Sequence, residues 1–179
     1  MDPENEKFAF MLDVSGSVGG SQNYWDTIGQ LIAMYGQDIG HYYFWDTRIE
    51  EVNKKNMEQA IAKRMGRGGT SPELVAQEVV QKGLKKIILI TDGQVSDHSV
   101  QQCDKTLAGY KFTKTICYII STSSYGGGCN MSVTCPFTRM CENEVYEKPY
   151  SSPMKKLVQY TPEDYKILDT LDDISLENF

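Results

Sequence analysis

Residues 8–20 read FAFMLDVSGSVGG, and the fold turns on how this stretch is read. Phe8 to Leu12 holds no polar residue and stops on Asp13. A short run that is apolar on both of its alternating faces predicts a fully buried parallel strand, and its length disfavours a buried helix. Beyond it Asp13, Ser15 and Ser17 stand at alternate positions, with Gly16 between the hydroxyls and Gly19-Gly20 behind them. In a tight loop at the carboxyl end of a strand, such side chains converge as hard oxygen ligands suited to Mg2+, Mn2+ or Ca2+. The small residues between them let the backbone fold around an ion. The same residues also make a helix N-cap, where Asp and Ser are favoured. The D-x-S-x-S pattern alone leaves both readings open.

Working outward, Tyr24 to Tyr35 carries Trp25, Ile28, Leu31 and Ile32 at helical spacing, closed by Gly36 and Gly40. Ile39 to Trp45 is aromatic-rich and strand-like. Asp46-Thr47 then turns the chain into a short strand, Arg48 to Val52, which must return antiparallel across so short a connection. Met57 to Met65 reads as a short amphipathic helix ending in Gly66-Arg67-Gly68-Gly69. Thr70-Ser71-Pro72-Glu73 opens another helix to about Lys82, with Gly83 behind it. Lys85 to Thr91 is the clearest buried strand, and it too stops at a carboxylate, Asp92, followed by Gly93. A helix is expected from Asp97 to Gly109 and a buried strand from Thr115 to Ser121. Thr122 to Pro153, with Cys129, Cys135 and Cys141, reads as a long irregular insertion holding one short helix. A last strand, Lys156 to Tyr160, and a last helix, Thr161 to Leu171, precede an acidic tail.

Strands alternating with helices predict an α/β domain with a parallel sheet covered on both faces. The chain of 179 residues reads as a single domain, and no internal repeat or linker divides it. Its formal net charge of -6 argues against broad nucleic-acid binding, although Lys63, Arg64 and Arg67 lie close together. No signal peptide opens the chain and no apolar run reaches membrane-spanning length, so it reads as soluble and cytoplasmic. Five cysteines leave at least one unpaired within a single chain, and Cys117 reads as a small core residue. His41, Trp25 and Trp45 take structural readings.

Ligands of open α/β sheets bind beyond the carboxyl ends of the strands. Three polar loops are expected there, carrying Asp13, Ser15 and Ser17, then Thr70, then Asp92. In this order, D-V-S-G-S, G-G-T and L-I-T-D-G resemble the von Willebrand factor type A domain with its metal-ion-dependent adhesion site. The likeness spans about Lys7 to Ser121 and fits the last strand and helix. It implies a Rossmann-like, doubly wound, mostly parallel six-stranded sheet with one antiparallel edge. It implies Mg2+ or Mn2+ among Asp13, Ser15, Ser17, Thr70 and Asp92, with one position left for a partner's Asp or Glu. Gly69, Gly93 and His98 would form the partner-binding rim, although His98 reads first as a surface helix residue close behind the Asp92 loop.

The function expected is thus a metal-dependent protein–protein interaction module and not an enzyme. A Mg2+-dependent phosphohydrolase is the alternative, but Val14-Ser15 stands where a second carboxylate of D-x-D would be, and no P-loop lysine is present. A place in an RNA–protein particle is the other, since some intracellular relatives of this kind occur there. For Cys129, Cys135 and Cys141 a zinc clip completed by His98 or Cys103 competes with a plain surface insertion, and the C-x5-C-x5-C spacing departs from C-x2-C clips.

Overall fold

The computed structural model describes residues 7–123 and 129–157. It is an α/β structure built on one mixed sheet in the order β3-β2-β1-β4-β5-β6-β7. The strands are β1 Phe8–Asp13, β2 Ile39–Trp45, β3 Ile49–Val52, β4 Lys86–Thr91, β5 Lys114–Ile120, β6 Glu142–Lys148 and β7 Lys155–Lys156. The helices are α1 Gln22–Tyr35, α2 Lys54–Lys63, α3 Glu73–Lys82, α4 Asp97–Thr106 and α5 Cys135–Thr138. Strands β2, β1, β4, β5 and β6 run parallel, while β3 and β7 pair antiparallel at the two edges.

All six positions of β1 are buried, as its unbroken apolar run requires of a central strand. Phe8, Phe10 and Leu12 pack with Trp25, Ile28 and Leu31 of α1 and Met57 of α2. Ala9 and Met11, on the opposite face, pack with Val75, Ala76 and Val79 of α3 and Cys103 of α4. Helices therefore cover both faces of the sheet. Trp25 and Trp45 are both core residues, and His41 ties β2 to β3 through Glu51 at 2.8 Å.

Among the described residues the sheet has seven strands, not six, and antiparallel strands at both edges, not one. The added parallel strand is β6, from within the stretch expected to be irregular. Its sequence, ENEVYEK, lacks an apolar run because most of it is half-buried beside the edge strand β7. There charged side chains pair along the surface, Lys114 reaching Glu144 at 3.0 Å. The short helix expected in that stretch is α5, and the last strand is β7, two residues long where described. The expected helix Thr161 to Leu171 lies outside the described residues, as does 158–160 of the expected strand. Helix α2 starts three residues early, at Lys54, because Asn53 and Asn56 form a reciprocal capping box that apolar spacing does not reveal. Helix α4 ends at Thr106, short of Gly109.

The topology sets the site. From β1 the chain passes through α1 to β2 on one side, and β4 enters on the other side of β1. The carboxyl ends of β1 and β4 thus flank the point where the winding reverses, the usual ligand crevice of such sheets. No helix among the described residues is long and apolar enough to cross a membrane.

Candidate metal centre

Strand β1 delivers Asp13 and β4 delivers Thr91-Asp92 to this crevice. Asp13 is 0% exposed, Asp92 3% and Ser15 1%. Asp13 Oδ1 accepts from Ser15 N at 2.8 Å, which folds the turn back on the carboxylate. Ser15 Oγ and Ser17 Oγ lie 3.2 Å apart. Asp13 Oδ2 accepts from Thr91 Oγ1 at 2.7 Å, and Thr91 Oγ1 in turn accepts from Gly93 N at 3.1 Å. Asp92 Oδ1 accepts from Gln94 N at 3.1 Å. Beneath the turn, the Tyr24 hydroxyl of α1 donates to the Asp13 carbonyl at 2.5 Å.

The second loop lies along the first. Gly20 N donates to Arg64 O at 2.8 Å, Arg67 N to Val14 O at 2.8 Å, and Gly16 N to Gly68 O at 2.9 Å. The backbones touch at Gly19 and Gly66, where a Cβ on Gly66 would stand 2.6 Å from Gly19 N and closer still to its Cα. Thr70, half-buried, follows Gly68 by two residues and so leaves from the loop already fastened to the Ser15–Ser17 turn. Arg67 anchors the loop from outside by reaching Asp46 Oδ2 at 3.2 Å and Glu50 Oε1 at 2.5 Å.

Four of the predicted residues, Asp13, Ser15, Ser17 and Asp92, are thus grouped at one edge, and Thr70 is carried on a strap bound to the same turn. The rim is divided. Gly93 is buried with φ +77°, and its carbonyl accepts from Asn130 N at 2.7 Å. A Cβ there would meet Cys129 Sγ at 2.6 Å. Gly69 is exposed beside Thr47, and His98 is an exposed residue in the first turn of α4. Residues 129–130 therefore pack against the Asp92 loop, with Asn130 Nδ2 bonding Val95 O and Asp97 Oδ1, both at 3.0 Å.

Sequence reasoning missed Thr91, Tyr24 and Thr122. Thr91 was legible, as the hydroxyl preceding Asp92. Thr122 Oγ1, 3.5 Å from Asp92 Oδ2, is placed only by tertiary packing.

The two carboxylates share one electrostatic problem. Among the described residues neither makes an ion pair with Lys, Arg or His. Burial, and then the negative charge of Asp92, push the Asp13 carboxyl from 3.8 up to about 7, against hydrogen bonds from Ser15 and Thr91 that pull it down. The unfolded chain releases this proton near 3.8, while the folded metal-free chain keeps it to about 7. In that window the folded state binds the extra proton, so its stability falls as pH rises and stays low above. The urea midpoint of the metal-free protein is expected to fall between pH 5 and pH 8, and Asp13→Asn to flatten that slope. An equal slope in the variant would assign it to other groups.

Among the described residues no group of three or more His, Cys, Asp or Glu is gathered for a metal. The site offers two carboxylates and fills its other places with hydroxyls, a donor set for a hard cation rather than zinc. The zinc reading gains nothing from the positions of Cys129 and Cys135, exposed, and Cys103 and Cys141, buried. No family model and no curated protein matches the chain, and the chemistry of the site rests on its own side chains.

Proposed function

We propose that this chain is a divalent-metal-dependent protein-interaction module with a Rossmann-like fold of the von Willebrand factor type A kind. The observation that carries the reading is the pair of buried carboxylates, Asp13 and Asp92, which no Lys, Arg or His pairs among the described residues and which the Ser15 and Ser17 hydroxyls flank. Like charges held together out of water are costly, and a divalent ion removes that cost. Asp13, Ser15, Ser17, Thr70 and Asp92 would hold Mg2+ or Mn2+, some through water. The bound ion supplies a positive centre on which a partner's Asp or Glu carboxylate can sit.

Support for binding over catalysis comes from the neighbourhood of the hydroxyls. Ser15 Oγ faces Ser17 Oγ at 3.2 Å and hydrogen-bonds the Asp13 carboxyl, so both hydroxyls fall in the proposed ligand set rather than in a nucleophile–histidine pair. Of the two histidines, His41 is engaged by Glu51 on the far side of β2, and His98 is exposed on α4.

The test is metal binding followed on the protein itself. Mg2+ at about one hundred times its dissociation constant is expected to stabilise the chain by about 2.7 kcal/mol. For a domain of this size that raises Tm by roughly 5–10 °C. The rise is expected to be larger at pH 8 than at pH 6, where the proton on Asp13 competes with the ion. Pull-down of partners should then need both the ion and the acid, and be lost in chelator. No shift in Tm with Mg2+ or Mn2+ at either pH would sink the reading.

A further inference from the structure

A polar groove of about 740 Å3 opens beside the candidate metal centre. It begins at Ser17 and at Thr122, the neighbour of Asp92, and runs over the first turn of α1 toward Arg64 and Lys148. Two features make it locally positive on a chain of net charge -6. Lys148, at the end of β6, is half-buried with its ammonium on three neutral oxygens: Asn23 Oδ1 at 2.8 Å, Pro149 O at 3.0 Å and Ser152 O at 2.8 Å. Asn23 fixes this arrangement by donating to Ser121 O at 2.7 Å. The three donors of the lysine are used, but among the described residues no carboxylate compensates its charge.

Arg64 is exposed, and its backbone is fixed in the left-handed region (φ 48°) with its carbonyl bonded to Gly20 of the first metal loop. Among the described residues its guanidinium makes no ion pair, whereas the nearby Arg67 is taken by Asp46 and Glu50. The cluster Lys63, Arg64, Arg67 seen in the sequence is thereby divided, and only Arg64 faces the groove. Among the described residues Asp26 is the one acid on the groove wall, exposed on the helix.

We infer that the groove is a second acid subsite: the partner is an extended acidic segment whose first carboxylate meets the metal and whose second is received by Arg64, with the charge of Lys148 in the same groove. The inference rests on the proposed metal-dependent binding and adds the partner's chemistry to it. Arg64 offers forked donors that no ion pair takes among the described residues, and Lys148 a fixed charge in the same groove. The half-exposed rim of the groove makes this contact salt-sensitive, while the metal contact is less so.

Fluorescent peptides carrying one Glu, followed one to four residues later by a second Glu or by Gln, test this in the presence of Mg2+. The best two-acid peptide is expected to bind about tenfold tighter than its Glu/Gln counterpart. Arg64→Gln should remove that gain while leaving Mn2+ affinity and the Glu/Gln peptide unchanged. Lys148→Gln should reduce it similarly, but it also loosens the β6 end, so Arg64→Gln, at an exposed position, decides. If both peptides bind equally well to the wild type and need the metal, the second subsite is wrong and the metal reading stands. If neither metal nor either peptide binds, both fall. If oligouridylate binds in chelator with the same dependence on Arg64, the groove takes phosphates, and the acidic-peptide partner is overturned.

Discussion

Asp13→Ala is expected to abolish Mg2+ and Mn2+ binding, with a loss in affinity of at least a hundredfold by calorimetry or Mn2+ resonance, in a protein that still folds. The carboxylate lies at the centre of the site, 0% exposed, with one oxygen on Ser15 N and the other on Thr91 Oγ1. The turn offers no second acid, since the position two residues on is Ser15. Stability separates the two obvious variants. Alanine leaves both donors without an acceptor, each costing about 1–3 kcal/mol, and this offsets the relief of removing a buried charge. Asparagine keeps an oxygen for Ser15 N and removes the charge. Metal-free Asp13→Asn is therefore expected to be about 1–3 kcal/mol more stable than the wild type at pH 8, as the raised carboxyl implies. Near pH 5, where the wild type is protonated, the two should be similar. A variant destabilised at both pH values would make Asp13 a structural residue first.

Gly66→Ala is the second large effect, and no charged group is involved. A Cβ at this position would stand 2.6 Å from Gly19 N and 3.2 Å from Ser15 O, all backbone, so the strap carrying Thr70 must lift from the first loop. Overpacking of this kind costs about 1–3 kcal/mol. In a domain of this size that lowers Tm by roughly 2–12 °C. The hydrogen bonds from Gly16 and Arg67 weaken as the loops part, and metal affinity is expected to fall at least tenfold. Gly29→Ala, in mid-helix with open space around it, is the control. There alanine is expected to add up to about 1 kcal/mol and leave metal binding as it was. Equal Tm and metal affinity for Gly66→Ala and the wild type would mean that the strap does not support the site.

The central strands were legible because burial leaves no alternative to apolar residues. FAFML and KIILI lie where both sheet faces are covered, the first followed by Asp13 and the second by Thr91 and Asp92 at the crevice. Strand β6 was not legible, because the position next to an edge tolerates charge and its ENEVYEK carries no pattern of period two. The start of α2 was hidden for a related reason, since a cap of two asparagines leaves no trace in apolar spacing.

The sequence by itself determined which chemistry the site can hold: one carboxylate and two hydroxyls in a single turn, a second carboxylate after the other central strand, and glycines in the loop before Thr70. Those are properties of local residue type and spacing. Only the tertiary structure decided what lies next to what. It bound the 64–68 strap along the first loop through backbone groups, which any sequence offers equally and only two facing glycines allow to meet. It also laid residues 129–130 against Gly93 and set Lys148 beside the first turn of α1, 125 residues away in sequence. Contacts across such separations follow from how the sheet orders its strands, and that order is fixed by packing on both faces rather than by any one segment.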